Sequence, residues 1–158
     1  MCRRNYSCTL IEGANFEAAF VIAHEIAHNL GVLHDGKYNE CDQNKYIMSS
    51  KTGPGKVHWS RCSNRYINDF IQNGKGWCLK NEEPSKKRSF DLASILLPGL
   101  IYSLSDQCKL SLGSNYTAYR SSKEPFNNVC RELWCASGSW AKAAHPALEG
   151  SACGNGKV

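Results

Sequence analysis

Residues 23–35 read AHEIAHNLGVLHD, and this stretch decides how the rest of the chain is to be understood. It sets His24, Glu25, His28, Gly31 and His34 in the order H-E-x-x-H-x-x-G-x-x-H, with Asp35 directly after. At about 3.6 residues per turn, His24 and His28 fall on one helix face a turn apart, so both imidazoles reach a single metal ion. Glu25 then stands beside the ion as a base. A third ligand on a continuing helix would point away, so the chain must turn before His34, and Gly31 supplies the permissive backbone for that turn. Three imidazoles leave the fourth position of a tetrahedral zinc open for water, which marks a catalytic site rather than a structural one. The pattern thus predicts a zinc hydrolase site with His24, His28 and His34 as ligands. Asp35 is expected to stabilise the turn after His34, because the three histidines already fill the protein's share of the coordination. His58 and His145 lie outside the motif and are expected to be ordinary surface or loop histidines.

Working outward, Phe16, Ala19, Phe20, Ala23, Ala27 and Leu30 recur near helical spacing, which predicts a helix from about Asn15 to Leu30 with Asn15 as N-cap. The run after His34, DGKYNECDQNKYIMSSKTGPG, is polar and rich in Gly and Asn, as loops are. A second helix is predicted from about Arg61 to Gln72, capped by Ser60, ending at Asn73-Gly74 and burying Cys62, Tyr66, Ile67, Phe70 and Ile71. A polar linker, residues 81–89, contains Pro84 and the cluster Lys86, Lys87 and Arg88. From Phe90 onward there is little periodicity.

The 158 residues carry nine cysteines, too many for a cytosolic enzyme of this size, and none forms a C-x-x-C pair, so disulfides and an oxidising compartment are expected. The sequons Asn5-Tyr6-Ser7 and Asn115-Tyr116-Thr117 agree with secretion. The longest apolar stretch, Ile95 to Tyr102, is too short to span a membrane and contains Pro98 and Gly99. The net charge of +5 is modest, and aromatics are not interleaved with the basic residues, so nucleic-acid binding is not expected. The basic cluster reads as a solvated linker, with contact to acidic matrix glycans as its alternative.

The elongated motif with three histidines resembles the metzincin signature, whose members also carry a Met-turn beneath the metal. Met48, fourteen residues after His34 in YIMSS, fits that turn. Asp35 after the third histidine points to the adamalysin (reprolysin) branch. The segments MCRRNYSC, CSNRYINDFIQNGKGWCL, LPGLIYSLSDQC and ELWC look like the ADAMTS proteases of the extracellular matrix. The resemblance implies an α/β metzincin catalytic domain, present as its lower subdomain only (residues 1–80), then the linker and a small disulfide-rich, disintegrin-like domain (residues 90–158). Both domains are expected to be truncated, the chain being a fragment that is inactive by itself.

The same resemblance implies hydrolysis of internal peptide bonds of matrix proteins, with Glu25 as the catalytic base, zinc as cofactor and Met48 as an apolar floor. It also implies a calcium site involving the Cys78 carbonyl and the Asn81 side chain. The implied disulfides are Cys2–Cys78, Cys41–Cys62 and Cys108–Cys135, leaving Cys8, Cys130 and Cys153 to pair outside the chain. The alternative function is a catalytically incompetent module whose disintegrin-like part docks onto matrix or protein partners.

Overall fold

The structure is a computed structural model that describes residues 2, 7–80 and 96–153. Two compact units emerge from it. The first takes the described parts of Met1–Ala14, Ala18–Thr52 and Lys56–Ser89, and the second those of Asn15–Glu17, Gly53–Gly55 and Phe90–Val158. The linker over residues 81–89, with Asn81 and the basic cluster, lies outside the described residues.

In the first unit, helix α1 spans Ala18–Asn29 and helix α2 spans Arg61–Gln72, followed by a 3₁₀ turn at Trp77–Leu79. Its described residues include no strand. The regular part of helix α1 begins at Ala18, and three residues earlier the Asn15 Oδ1 accepts from the Glu17 N–H at 2.9 Å, the kind of bond an N-cap makes. Its other end is closed by the left-handed Gly31, at φ 85°. The Gly31 N–H donates to His28 O at 2.9 Å and the Val32 N–H to Ala27 O at 3.0 Å, the paired bonds of a Schellman motif. Val32 and Ala27 also belong to one buried cluster with Ile47 and Met48, against which Tyr66 and Ile67 of α2 pack. Complete burial of a side chain such as Met48 contributes about 1.5–3 kcal/mol.

Helix α2 keeps the predicted bounds, and the physical causes are visible at both ends. The Ser60 side chain accepts from the Ser63 N–H, and the chain leaves the helix through Asn73 and the left-handed Gly74. Cys62 and Phe70 are buried, whereas Ile71, expected inside, is 60 % exposed because it falls on the outer face. Disulfides hold Cys41 to Cys62 and Cys2 to Cys78, with Cα separations of 6.2 and 5.4 Å. Cys8 is exposed and has no disulfide partner among the described residues.

The second unit carries two short helices, α3 (Pro98–Ile101) and α4 (Leu104–Leu112), and a three-stranded antiparallel sheet. The strands are β1 (Thr117–Tyr119), β2 (Trp134–Ser137) and β3 (Trp140–Ala143), in the order β1-β2-β3. Gly138, at φ 60°, turns β2 into β3, whose register pairs Ser137 with Trp140. The core holds Cys108, Val129, Leu133, Cys135 and Ala144. Cys108 is bonded to Cys135 at a Cα separation of 5.6 Å. Cys130 and Cys153 are bonded to each other, also 5.6 Å apart at Cα, which corrects the expectation that both pair outside the chain. The main chain itself brings them within disulfide reach. His145 departs from its expectation as well: it is 2 % exposed, with Phe16 edge-on to its ring at 5.3 Å, whereas His58 is exposed as expected.

Candidate metal centre

His24 and His28 project from α1, and His34 follows the Gly31 turn. Their Nε2 atoms converge: His24 and His28 each lie 3.1 Å from the Nε2 of His34. Tetrahedral coordination at about 2.0–2.1 Å requires nitrogens about 3.3 Å apart, so this spacing fits one zinc ion. The other ring nitrogens reinforce that fit. The His24 Nδ1 lies 2.7 Å from Ile47 O and the His28 Nδ1 2.8 Å from Val32 O. A carbonyl only accepts, so both Nδ1 atoms carry the proton and donate, leaving each Nε2 lone pair free to face a metal.

The third imidazole is held below the ordinary histidine range, first by burial and then by the charges of His28 and His24, which favours the neutral form that a ligand needs. Glu25 is half-buried on α1 and is one of the charges felt at His34. Met48 is fully buried in the cluster with Ala27, Val32 and Ile47.

Asp35 is 2 % exposed and sits at the junction of three segments. Its N–H donates to Met48 O at 2.9 Å, and the Ser60 hydroxyl donates to its Oδ1 at 2.5 Å. Burial raises its carboxyl above the usual range, an effect opposed by the Ser60 hydrogen bond. Asp35 also lies close to the sulfurs of Cys41 and Cys62, but those sulfurs are spent on a disulfide and hold no metal. For the implied calcium site, Cys78 stands in the 3₁₀ turn bonded to Cys2, and Asn81 is outside the described residues.

Two positions escaped the sequence reading. Ser60, read there only as a helix cap, also reaches Asp35. Asn39 makes four hydrogen bonds to the backbone of residues 34–41, although nothing distinguishes it from its polar neighbours in sequence. An asparagine in a loop is a general signal for local backbone bonding, but it does not say which groups are joined.

Two histidines on one helix, a glycine turn and a third histidine form a three-nitrogen candidate metal centre. Comparison with known proteins makes this particular. Residues 1–84 match the reprolysin (M12B) family of zinc metalloproteases, and the chain belongs to that family. Residues 98–158 match ADAMTS cysteine-rich domain 2, the segment that the resemblance describes as disintegrin-like.

The chain is 39 % identical over 99 % of its length to a disintegrin and metalloproteinase with thrombospondin motifs adt-1 of Caenorhabditis elegans, covering 11 % of that protein. It is 37 % identical over 99 % of its length to the protein with thrombospondin motifs 12 of Mus musculus, covering 10 %, and 37 % identical over its whole length to number 6 of Homo sapiens, covering 14 %. The chain therefore spans roughly a tenth of the length of these curated relatives, and its ADAMTS likeness extends across both units.

Proposed function

We propose that this chain supplies the zinc site of a secreted metalloendopeptidase that hydrolyses internal peptide bonds of extracellular, matrix-type proteins. The observation that carries the reading is the approach of the His24 and His28 Nε2 atoms to that of His34, each at 3.1 Å, with two of the rings oriented by backbone carbonyls. His24, His28 and His34 would hold zinc, which when bound supplies a Lewis acid that polarises the scissile carbonyl and eases deprotonation of water. Glu25 takes the proton of the attacking water and returns it to the leaving amine. Ile47 O and Val32 O hold the Nδ1 protons of His24 and His28 throughout, so those rings stay in the tautomer that presents Nε2. The four disulfides support an oxidising compartment, and no helix among the described residues is long and apolar enough to cross a membrane.

Metal analysis of a purified full-length protein that contains this chain tests the reading. About one zinc per chain is expected, with nitrogen ligands at roughly 2.0–2.1 Å by X-ray absorption, and His28→Ala should abolish tight binding and proteolysis together. Tight zinc retention with full turnover in His28→Ala would rule out this ligand set.

A further inference from the structure

We propose that Asn39 is the positioning residue of the third imidazole, its side-chain amide fixing the one loop arrangement in which His34 meets the other two rings. The proposal rests on the reading of His24, His28 and His34 as zinc ligands. The first two rings are placed by α1. His34 has no helix to place it: Asp35 beside it is anchored by Met48 O and the Ser60 hydroxyl, and the backbone carbonyl of His34 itself is held within the loop of residues 34–41.

Asn39 Nδ2 donates to His34 O at 2.9 Å and to Lys37 O at 3.1 Å, while its Oδ1 accepts from the Gly36 N–H at 3.0 Å and the Cys41 N–H at 3.1 Å. These four bonds use both donors and the oxygen's two lone pairs. The partners also settle the amide's orientation, because two carbonyl oxygens face the nitrogen and two N–H groups face the oxygen.

The backbone they enclose is one the chain would otherwise avoid. Gly36 has φ 77°, and Tyr38, a bulky residue, has φ 61°. Tyr38 is 87 % exposed, so burial of its side chain does not hold that conformation. A strained residue persists when its surroundings over-determine it. Asn39 bonds to the chain on both sides of Tyr38, at Lys37 and at Cys41, and Cys41 is in turn tied to Cys62 on α2. The amide thus closes the segment between ligand and disulfide into a single folded loop.

Asn39→Asp is the discriminating variant. It keeps the size and the two accepted bonds, loses both donations, and sets a carboxylate oxygen against the carbonyls of His34 and Lys37. Zinc affinity of the full chain, read by competition with a chelator, should fall about 10- to 100-fold, the usual effect of removing an outer partner of a metal ligand. With cobalt in place of zinc, the visible spectrum should change as the third nitrogen is displaced. Adding Tyr38→Gly to Asn39→Asp should recover part of the affinity, since glycine accepts the positive φ without strain. Gly74→Ala, at the end of α2 with φ 66°, serves as the control that lowers stability away from this loop and should leave zinc affinity unchanged. Asn39→Asp that binds zinc and gives a cobalt spectrum like the unsubstituted chain overturns the proposal. An unsubstituted chain that binds no zinc, or a His28→Ala variant that binds it normally, overturns the zinc reading and this inference with it.

Discussion

Replacing Ser60 by alanine removes one hydroxyl that serves two partners at once. Its oxygen accepts from the Ser63 N–H at 3.0 Å as the N-cap of α2, and its hydrogen goes to Asp35 Oδ1. Loss of such a cap costs about 1 kcal/mol. The second loss is larger, because Ser60 is 1 % exposed and Asp35 2 % exposed, and Asp35 Oδ2 has no hydrogen-bond partner among the described residues. Stripping Oδ1 as well leaves a buried carboxyl group unsatisfied, at about 1–3 kcal/mol. Together these give a destabilisation of about 2–4 kcal/mol for Ser60→Ala. Equilibrium denaturation of the metal-free protein with its disulfides intact measures it, and the cycle with Asp35→Ala, which removes the acceptor, isolates the interaction. The two substitutions should couple by about 0.5–3 kcal/mol, as residues in direct contact do. Additive effects, with Ser60→Ala costing no more than an ordinary cap, would refute the claim that this hydroxyl fastens α2 to the segment bearing His34.

Gly31→Ala meets nothing within 4 Å at its added Cβ, so its cost is that of the backbone alone at φ 85°, about 1–2 kcal/mol, read by thermal or chemical unfolding. Glu25→Gln should retain zinc while turnover of a protein substrate falls about two to four orders of magnitude, and near-normal hydrolysis would assign the base elsewhere. Asn115, in the turn from α4 into β1, and Thr117, the first residue of β1, are both exposed, so secreted material should carry an N-linked glycan at Asn115. Peptide mapping with and without N-glycosidase checks this, with Thr117→Ala expected to lose the glycan and Thr117→Ser to keep it.

The first unit was legible in sequence wherever a local rule governs the backbone. Ser60 and Asn73-Gly74 mark the ends of α2 through a cap and a left-handed exit, and Gly31 marks the end of α1. The spacing of the three histidines predicts a common metal, and their Nε2 atoms do converge. Asn15, expected as the N-cap of α1, makes a cap-type bond to the Glu17 N–H, although the regular helix starts only at Ala18.

The second unit was far less legible. Its strands are three or four residues long, too short for an alternating pattern, and its core is held by Cys108 and Cys135 as much as by aliphatic residues. The Cys130–Cys153 pair and the burial of His145 depend on contacts between distant residues, which no local pattern encodes. Asn39 illustrates the same limit within a single loop, since its four partners appear only once the loop has closed.

The acceptors that orient His24 and His28 are main-chain oxygens, of Ile47 and Val32. Every residue type carries such an oxygen, so substitution at either position cannot delete the acceptor and disturbs ring orientation only by moving the backbone. Many metal sites instead rely on a carboxylate for this task, and there one codon change can silence the support. A substitution at position 32 or 47 therefore acts on the ring through packing rather than through loss of the acceptor. For anyone grafting this site onto another scaffold, the eleven residues of the motif carry the acceptor for His28 but not the one for His24. The transplanted cassette must run on through the Met48 turn, or supply a replacement carbonyl at the same place.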